Sequence, residues 1–193
     1  VSSEVRDEDA KGKAKAEGEK PAASLGWVVL EEYWWYPLRF DSVDALNNAR
    51  YHYRQNEEKA AASEIDKAVT WLKYAAGHAM PITKEKLDTA VGELTTLAKD
   101  LRAGRVSEAA RMDQALARAS HALAEWHYFK AKESYGKSEE GYAAQDLEAA
   151  VEHLRHAANS AHHQYGADTI TLFEHVRKNG KMVSEKKTID HNV

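Results

Sequence analysis

The chain has 193 residues, no cysteine and a net charge of −4 at pH 7. The lack of cysteine excludes disulfides and thiolate metal sites, and the mildly acidic balance argues against a nucleic-acid-binding protein, which is normally basic. No run of 18 apolar residues occurs, so the sequence predicts no membrane span. The 3 prolines and the scarcity of β-branched residues favour a helical protein over a β-sandwich.

Residues 1–25 form a first segment that is rich in Glu, Lys, Ala and Gly. Such a segment cannot bury enough apolar surface to offset the entropy of ordering it, which predicts a solvated tail or one that a partner orders. The chain begins with Val rather than Met and carries no signal sequence. We therefore expect a periplasmic or otherwise secreted protein after signal cleavage, with a trimmed chain as the alternative.

Residues 26–41 concentrate aromatic side chains, and Pro37 favours an extended backbone at the residue before it. The sequence predicts an extended N-terminal arm, or a short helix docked on the helical body, which either covers the core or forms an interaction surface. The candidate contacts for a protein partner or a second copy are Trp27, Trp34, Trp35 and Tyr36, with Trp71 and Tyr74 of a later helix.

The rest of the chain shows the 3.6-residue spacing of amphipathic helices, which predicts an all-α helical bundle. Ser42 offers an N-cap, Pro81 ends one helix, and Gly104 and Gly180 are typical C-terminal signals. The predicted helices span residues 42–56, 57–79, 83–104, 107–134, 141–164 and 167–179. They form two three-helix units, 42–104 and 105–180, followed by a C-terminal extension, 181–193.

The second unit repeats the first, which indicates an internal duplication. The segment 49–53 (ARYHY) matches 124–128 (AEWHY), and residues 65–76 match 147–158. The connection between these blocks is seven residues longer in the second copy, and we expect a loop to take up the difference. His52 and His127 become paired positions, either as separate buried imidazoles or as two rings that meet across a pseudo-twofold axis.

Both repeated blocks place two alanines around a leucine, from Ala68 to Ala75 and from Ala150 to Ala157. Over residues 42–179 this Ala/Leu pattern resembles that of the YfdX-type bacterial periplasmic proteins. The resemblance implies a periplasmic, non-enzymatic, stress-associated helical protein.

Histidines on the predicted fifth helix carry the remaining chemistry. At 100° per residue, the core face of this helix contains Leu147, Val151, Leu154 and Ala158. The opposite side groups Ser160 with the candidate metal ligands Glu152, His153, His156 and His163. Their i,i+4 and i,i+7 spacings suit Zn or Cu when a second helix adds a ligand. The alternative is that these are partly exposed surface histidines, or that their rings pack like aromatic side chains at an interface.

No catalytic motif accompanies these histidines. The sequence lacks G-x-S-x-G, a Walker loop, G-x-G-x-x-G, H-E-x-x-H and Glu-x-x-His, so it predicts no enzyme. We expect a non-enzymatic extracytoplasmic interaction or structural protein that associates with a protein partner or with itself and needs no cofactor. The alternative is a helical module that binds Zn or Cu through the histidine face, with haem as a third choice.

Overall fold

The structure is a computed structural model that describes residues 35–106 and 108–190, with side chains described for 41–106 and 108–180. Helices occupy most of these residues, and the predicted all-α class is confirmed. In chain order they are α1 (Trp35–Arg54), α2 (Glu58–Gly77), α3 (Pro81–Arg102), α4 (Ala109–Gly136), α5 (Glu140–Ser160) and α6 (Ala167–Asp190). Within the described ranges there is no strand, and no helix combines the length and apolarity needed to cross a bilayer.

α1 begins earlier than the sequence predicted. It starts at Trp35, so Ser42 is not its N-cap. Of the two conformations expected for residues 26–41, the extended one is wrong from residue 35 onward, where the chain is helical. Pro37 falls in the first turn, where its missing N–H has no helical acceptor to lose. The chain divides after Pro37, and the packing described below is that of the unit beginning at Leu38. Outside the described residues lie Trp27, Trp34 and the side chains of Trp35 and Tyr36.

Helices α2 to α6 pack as successive neighbours, with α4 between α3 and α5. α2 packs mainly on α3, α5 packs on α4 and α6, and α1 reaches α4 and α5 through Arg50 and Ser42. Alanines at these contacts let the helix axes approach closely. The largest fully buried side chains are Leu46, Ile65, Leu72, Leu87, Leu94, Leu97, Leu101, Met112, Leu116, Leu123 and Trp126.

The α1–α2 and α4–α5 turns share one backbone geometry. Asn56 and Ser138 have positive φ angles of 60° and 61°, and three residues separate the helices in each turn. The expectation of a longer loop in the second unit is therefore wrong. The seven extra residues lie in α4, where they add about two helical turns.

This register separates His52 from His127. His52 lies near the end of α1, where its Nδ1 is 2.6 Å from Oε2 of Glu57 in the following turn. His127 lies about two turns before the end of α4 and is fully buried. Both rings are among the described residues and they do not meet, so a shared site across a pseudo-twofold axis is not formed.

α6 continues through Gly180 to Asp190, so the helix end predicted at residue 179 is wrong and much of the expected extension 181–193 is helical. Gly180 is buried, and a Cβ placed there would lie 2.5 Å from Oε2 of Glu148. This glycine therefore permits close approach of α6 to α5 instead of capping a helix. Gly104, with a φ of 63°, does follow the end of α3 as predicted.

Candidate functional site

α5 turns its histidine side inward, contrary to the predicted orientation. His153 and Ser160 are fully buried, and His156 is 6% exposed. Of the four residues expected in the core, Val151 and Ala158 are buried as predicted, whereas Leu147 and Leu154 are only half-buried. The interior accepts the histidine side because α1 and α4 supply polar partners for the imidazoles. The resulting buried polar cluster consists of Ser42, Arg50, Asp113, Ser120, His127, Asp146, His153 and His156.

The pair of His127 and Asp146 joins α4 to α5. Nδ1 of His127 donates to Oδ1 of Asp146 over 2.8 Å, and both side chains are buried. The carboxylate fixes the tautomer with the proton on Nδ1, so Nε2 keeps its lone pair in the neutral ring. Nε2 is itself buried and has no hydrogen-bond partner in the part of the chain that the structure describes. The pair is the polar centre of the α4–α5 contact.

His153 extends this pair to α1. Its ring stacks on that of His127, with 5.4 Å between the centroids and 17° between the planes. Nε2 of His153 lies 3.3 Å from Oγ of Ser42, which is fully buried within α1. The hydroxyl of Ser42 therefore forms a contact between helices. Ser42 lies inside α1 and does not cap its N-terminus.

His156 occupies the next turn of α5 and contacts α4. Its Nδ1 shares a hydrogen bond of 2.6 Å with Oγ of Ser120, and its Nε2 is buried without a partner among the described residues. Burial, and second to it the positive charge of Arg50, lower the pKa of the His156 imidazole to about 4. The ring is therefore neutral at pH 7.

Arg50 links α1 to α4 and to the end of α5. Its Nε lies 3.0 Å from Oδ1 of Asp113, and its Nη1 donates to the carbonyl oxygen of Asn159 over 3.3 Å. The second oxygen of Asp113 is 3.0 Å from Nε2 of His162, just beyond α5. The carboxylate of Asp113 therefore contacts both the guanidinium of Arg50 and the imidazole of His162.

The cluster contains two serine–histidine pairs, Ser42 with His153 and Ser120 with His156. Such pairs have the composition of a nucleophile and its base. All four side chains are buried. Each pair is a buried contact between α5 and a neighbouring helix, α1 for Ser42 and α4 for Ser120.

The four predicted metal ligands do not converge. His153 and His156 lie in the buried cluster, whereas Oε1 of Glu152 lies 3.2 Å from Nε of Arg177 on α6. His163 follows the end of α5 and is exposed. Within the described ranges no group of three or more His, Cys, Asp or Glu side chains is arranged to hold a metal ion. The expectation that these four side chains lie together is therefore wrong, and binding of Zn, Cu or haem stays a prediction.

The predicted interaction residues of α2 are divided between core and surface. Trp71 is 3% exposed, so the expectation that it contacts a partner is wrong. Tyr74 is half-buried, and its ring stacks on that of His78 with 4.4 Å between the centroids. Of the predicted set whose side chains are described, Tyr74 alone reaches the surface.

An apolar groove of about 420 Å³ lies where α4, α5 and α6 meet, and we call it the α4–α5–α6 groove. Two of its walls carry large exposed side chains, since Tyr128 is 48% and Leu172 is 60% exposed. The half-buried Leu147 and Leu154 also contribute to its lining. The lining residues are His121, Ala124, Glu125, Tyr128, Leu147, Ala150, Val151, Leu154, Leu172, Phe173 and Val176.

Sequence reasoning missed this groove, although part of its signal was visible. The stripe containing Leu147 and Leu154 was recognised as apolar and assigned to the core. α6 covers that stripe incompletely, because Phe173 is buried while Leu172 stays exposed. A stripe that is apolar and only half-buried is typical of a surface that another molecule covers.

Comparison of the chain with protein-family models, with curated proteins and with solved structures finds no match.

Proposed function

We propose that this chain is a non-enzymatic helical protein that associates with a protein partner or with a second copy of itself, and that the α4–α5–α6 groove is the surface it uses. The observation that carries the proposal is the placement of exposed Tyr128 and Leu172 on the walls of one apolar groove. Isolated exposed apolar residues are ordinary, but a concave patch that combines them is typical of interaction sites.

The surroundings of the groove have the composition of an interface rim. Nζ of Lys86 lies 2.7 Å from both carboxylate oxygens of Glu125, which lines one wall. Nζ of Lys132 lies 5.8 Å from the ring centroid of Tyr128. Apolar anchors within a charged border resemble the core and rim of protein–protein interfaces, in which aromatic side chains contribute much of the affinity.

The non-enzymatic part of the proposal is supported by the burial of both serine–histidine pairs. The aromatic arm, including Trp27 and Trp34, stays a second predicted contact of the same kind. An extracytoplasmic location likewise belongs to the proposal and rests on the sequence.

The internal duplication is a finer part of the same proposal. It is supported by the common turn geometry at Asn56 and Ser138, which lie at the same separation as the matched helix segments 65–76 and 147–158. Matched positions also share burial, since Trp71 and His153 both lie in the interior. Duplication of one helical hairpin, with Trp71 in the first copy at the position of His153 in the second, accounts for both observations.

Photo-crosslinking from inside the groove tests the proposal. A photoreactive benzoylphenylalanine is placed at Leu172, which is exposed enough to accept it without loss of core packing. We expect irradiation to give a covalent adduct with a second copy or with a partner in cell extract, and we expect Leu172→Glu to abolish that association. Adducts are detected as a mass shift on denaturing gels and located by mass spectrometry.

Ile82 provides a matched control because it is 62% exposed near the start of α3 and does not line the groove. The same photoreactive residue at position 82 is expected to give no comparable adduct, and Ile82→Glu is expected to leave association unchanged. Equal adducts from positions 82 and 172, or none from position 172, would overturn the proposal.

A further inference from the structure

Arg50, a charged residue of the buried polar cluster, connects α1 to α4 and α5. Arg50 is held by the carboxylate of Asp113 on α4, 3.0 Å away, and by the carbonyl oxygen of Asn159 on α5, 3.3 Å away. Both charged side chains are largely buried. The position of the last turns of α1 therefore depends on this guanidinium remaining in place.

Arg50 acts on His156 through its charge, which after burial is the second cause that lowers the pKa of this ring. Its ring is bonded to Ser120 through Nδ1, while Nε2 is buried and has no hydrogen-bond partner in the described part of the chain. The neutral ring fits this site because it needs only one partner. A protonated ring would place a second cation beside Arg50, and its Nε2–H would have no acceptor among the described residues.

The carboxylates that face the cluster are already engaged. Asp113 of α4 contacts Arg50 of α1 and also His162, which follows α5. Asp146 of α5 accepts from His127 of α4. Glu152, on another side of α5, contacts Arg177 of α6. These described contacts provide no free acid to neutralise a charged His156.

We propose that α1 is an acid-sensitive lock, in which protonation of His156 expels Arg50 and releases α1 from α4 and α5. Release exposes Leu46 and Ala49, which are fully buried in the closed form. It also uncovers the histidine side of α5. The proposed release of α1 does not involve the α4–α5–α6 groove, because Arg50, Asp113 and His156 do not line that groove.

The size of the response follows from linkage between protonation and opening. Burial and the charge of Arg50 lower the pKa of His156 from 6.5 to about 4 in the closed form, and the exposed ring of the open form keeps the ordinary value. The opening constant of α1 is then expected to rise about twentyfold between about pH 7 and about pH 5.

Hydrogen exchange followed by mass spectrometry on the full chain measures this opening. After correction for the pH dependence of intrinsic exchange, peptides covering residues 42–54 are expected to exchange about twentyfold faster near pH 5. Peptides covering residues 87–101 of α3 are expected to stay protected. If both regions exchange with the same opening free energy at each pH, the chain unfolds as one unit and the lock does not exist.

Two glutamine variants separate His156 from other titrating groups. His156→Gln keeps a hydrogen-bonding side chain but cannot be protonated in this range, so the acid response of residues 42–54 is expected to disappear. His163→Gln removes an exposed histidine of the same region and is expected to respond like the parent chain. An unchanged response in His156→Gln would overturn the proposal.

A third variant leaves the buried ring in place. Arg50→Met removes the like charge, so the pKa of His156, followed by NMR of the ring protons, is expected to rise. A His156 titration that is the same with and without Arg50 contradicts the proposed contact.

Discussion

Replacing Asp146 by alanine is expected to lower the free energy of unfolding by about 2–3 kcal/mol, because it leaves the buried Nδ1–H of His127 without an acceptor. The two side chains are joined over 2.8 Å in the interior, where water cannot replace the lost oxygen. Urea unfolding followed by circular dichroism at pH 7 measures the change.

Asp88→Ala is the matched control for this substitution. Asp88 forms an ion pair with Lys84 of the same helix, with 2.7 Å between Oδ2 and Nζ, and unlike Asp146 it is exposed. Its removal is expected to change the free energy of unfolding by no more than about 0.5 kcal/mol. In a His127→Leu background, Asp146→Ala is expected to be less destabilising, because no buried donor remains to be satisfied. Equal effects of Asp146→Ala and Asp88→Ala would show that the buried pair does not stabilise the fold.

Acidification from pH 6.5 to about pH 4 is expected to remove about 3 kcal/mol of stability through His156 alone. The pKa of this ring is about 4 in the folded chain and 6.5 when exposed, so the unfolded chain binds the extra proton. The contribution of His156 is therefore complete above pH 6.5 and is lost as the pH falls toward 4.

Urea titrations at several pH values in this window, on the parent chain and on His156→Gln, measure that contribution. Asp100 and Glu133 also have lowered pKa values, caused first by hydrogen bonds to Arg111 and to Lys137. The stability that these two carboxylates contribute is lost only as the pH falls below about 4.5. Most of the range from pH 6.5 to about 4, in which His156 acts, lies above that value. We expect the variant to lose less stability per pH unit than the parent, and parallel curves would refute the assignment to His156.

The helix pattern was predictable where local chemistry decides it. Pro81 separates α2 from α3 and Gly104 follows α3, because a missing N–H and a positive φ act within a few residues. Ser42 misled the sequence argument because its hydroxyl bonds to His153, which is distant in sequence. From the sequence alone, a serine that caps a helix cannot be distinguished from a serine whose hydroxyl contacts another helix.

The orientation of α5 was not predictable from hydropathy. Periodicity places leucines inward and histidines outward, but α1 offers Ser42 to His153 and α4 offers Ser120 to His156. Asp146 of α5 in turn accepts from the buried His127 of α4. The alanine-rich helix face packs closely enough to exclude water from these polar groups. The α4–α5–α6 groove was missed for a related reason, since the coverage of Leu154 depends on how α6 lies on α5.

Histidine-selective modification tests the central claim that the histidine side of α5 is buried. Full-length protein is treated briefly with diethyl pyrocarbonate near pH 7, and each modified residue is identified by mass spectrometry. We expect rapid modification of the exposed His121 and His163, with His153 and His156 slower by about tenfold or more, because local opening must precede their reaction. Modification of His153 or His156 at the rate of His163 would contradict the buried cluster and the account built on it.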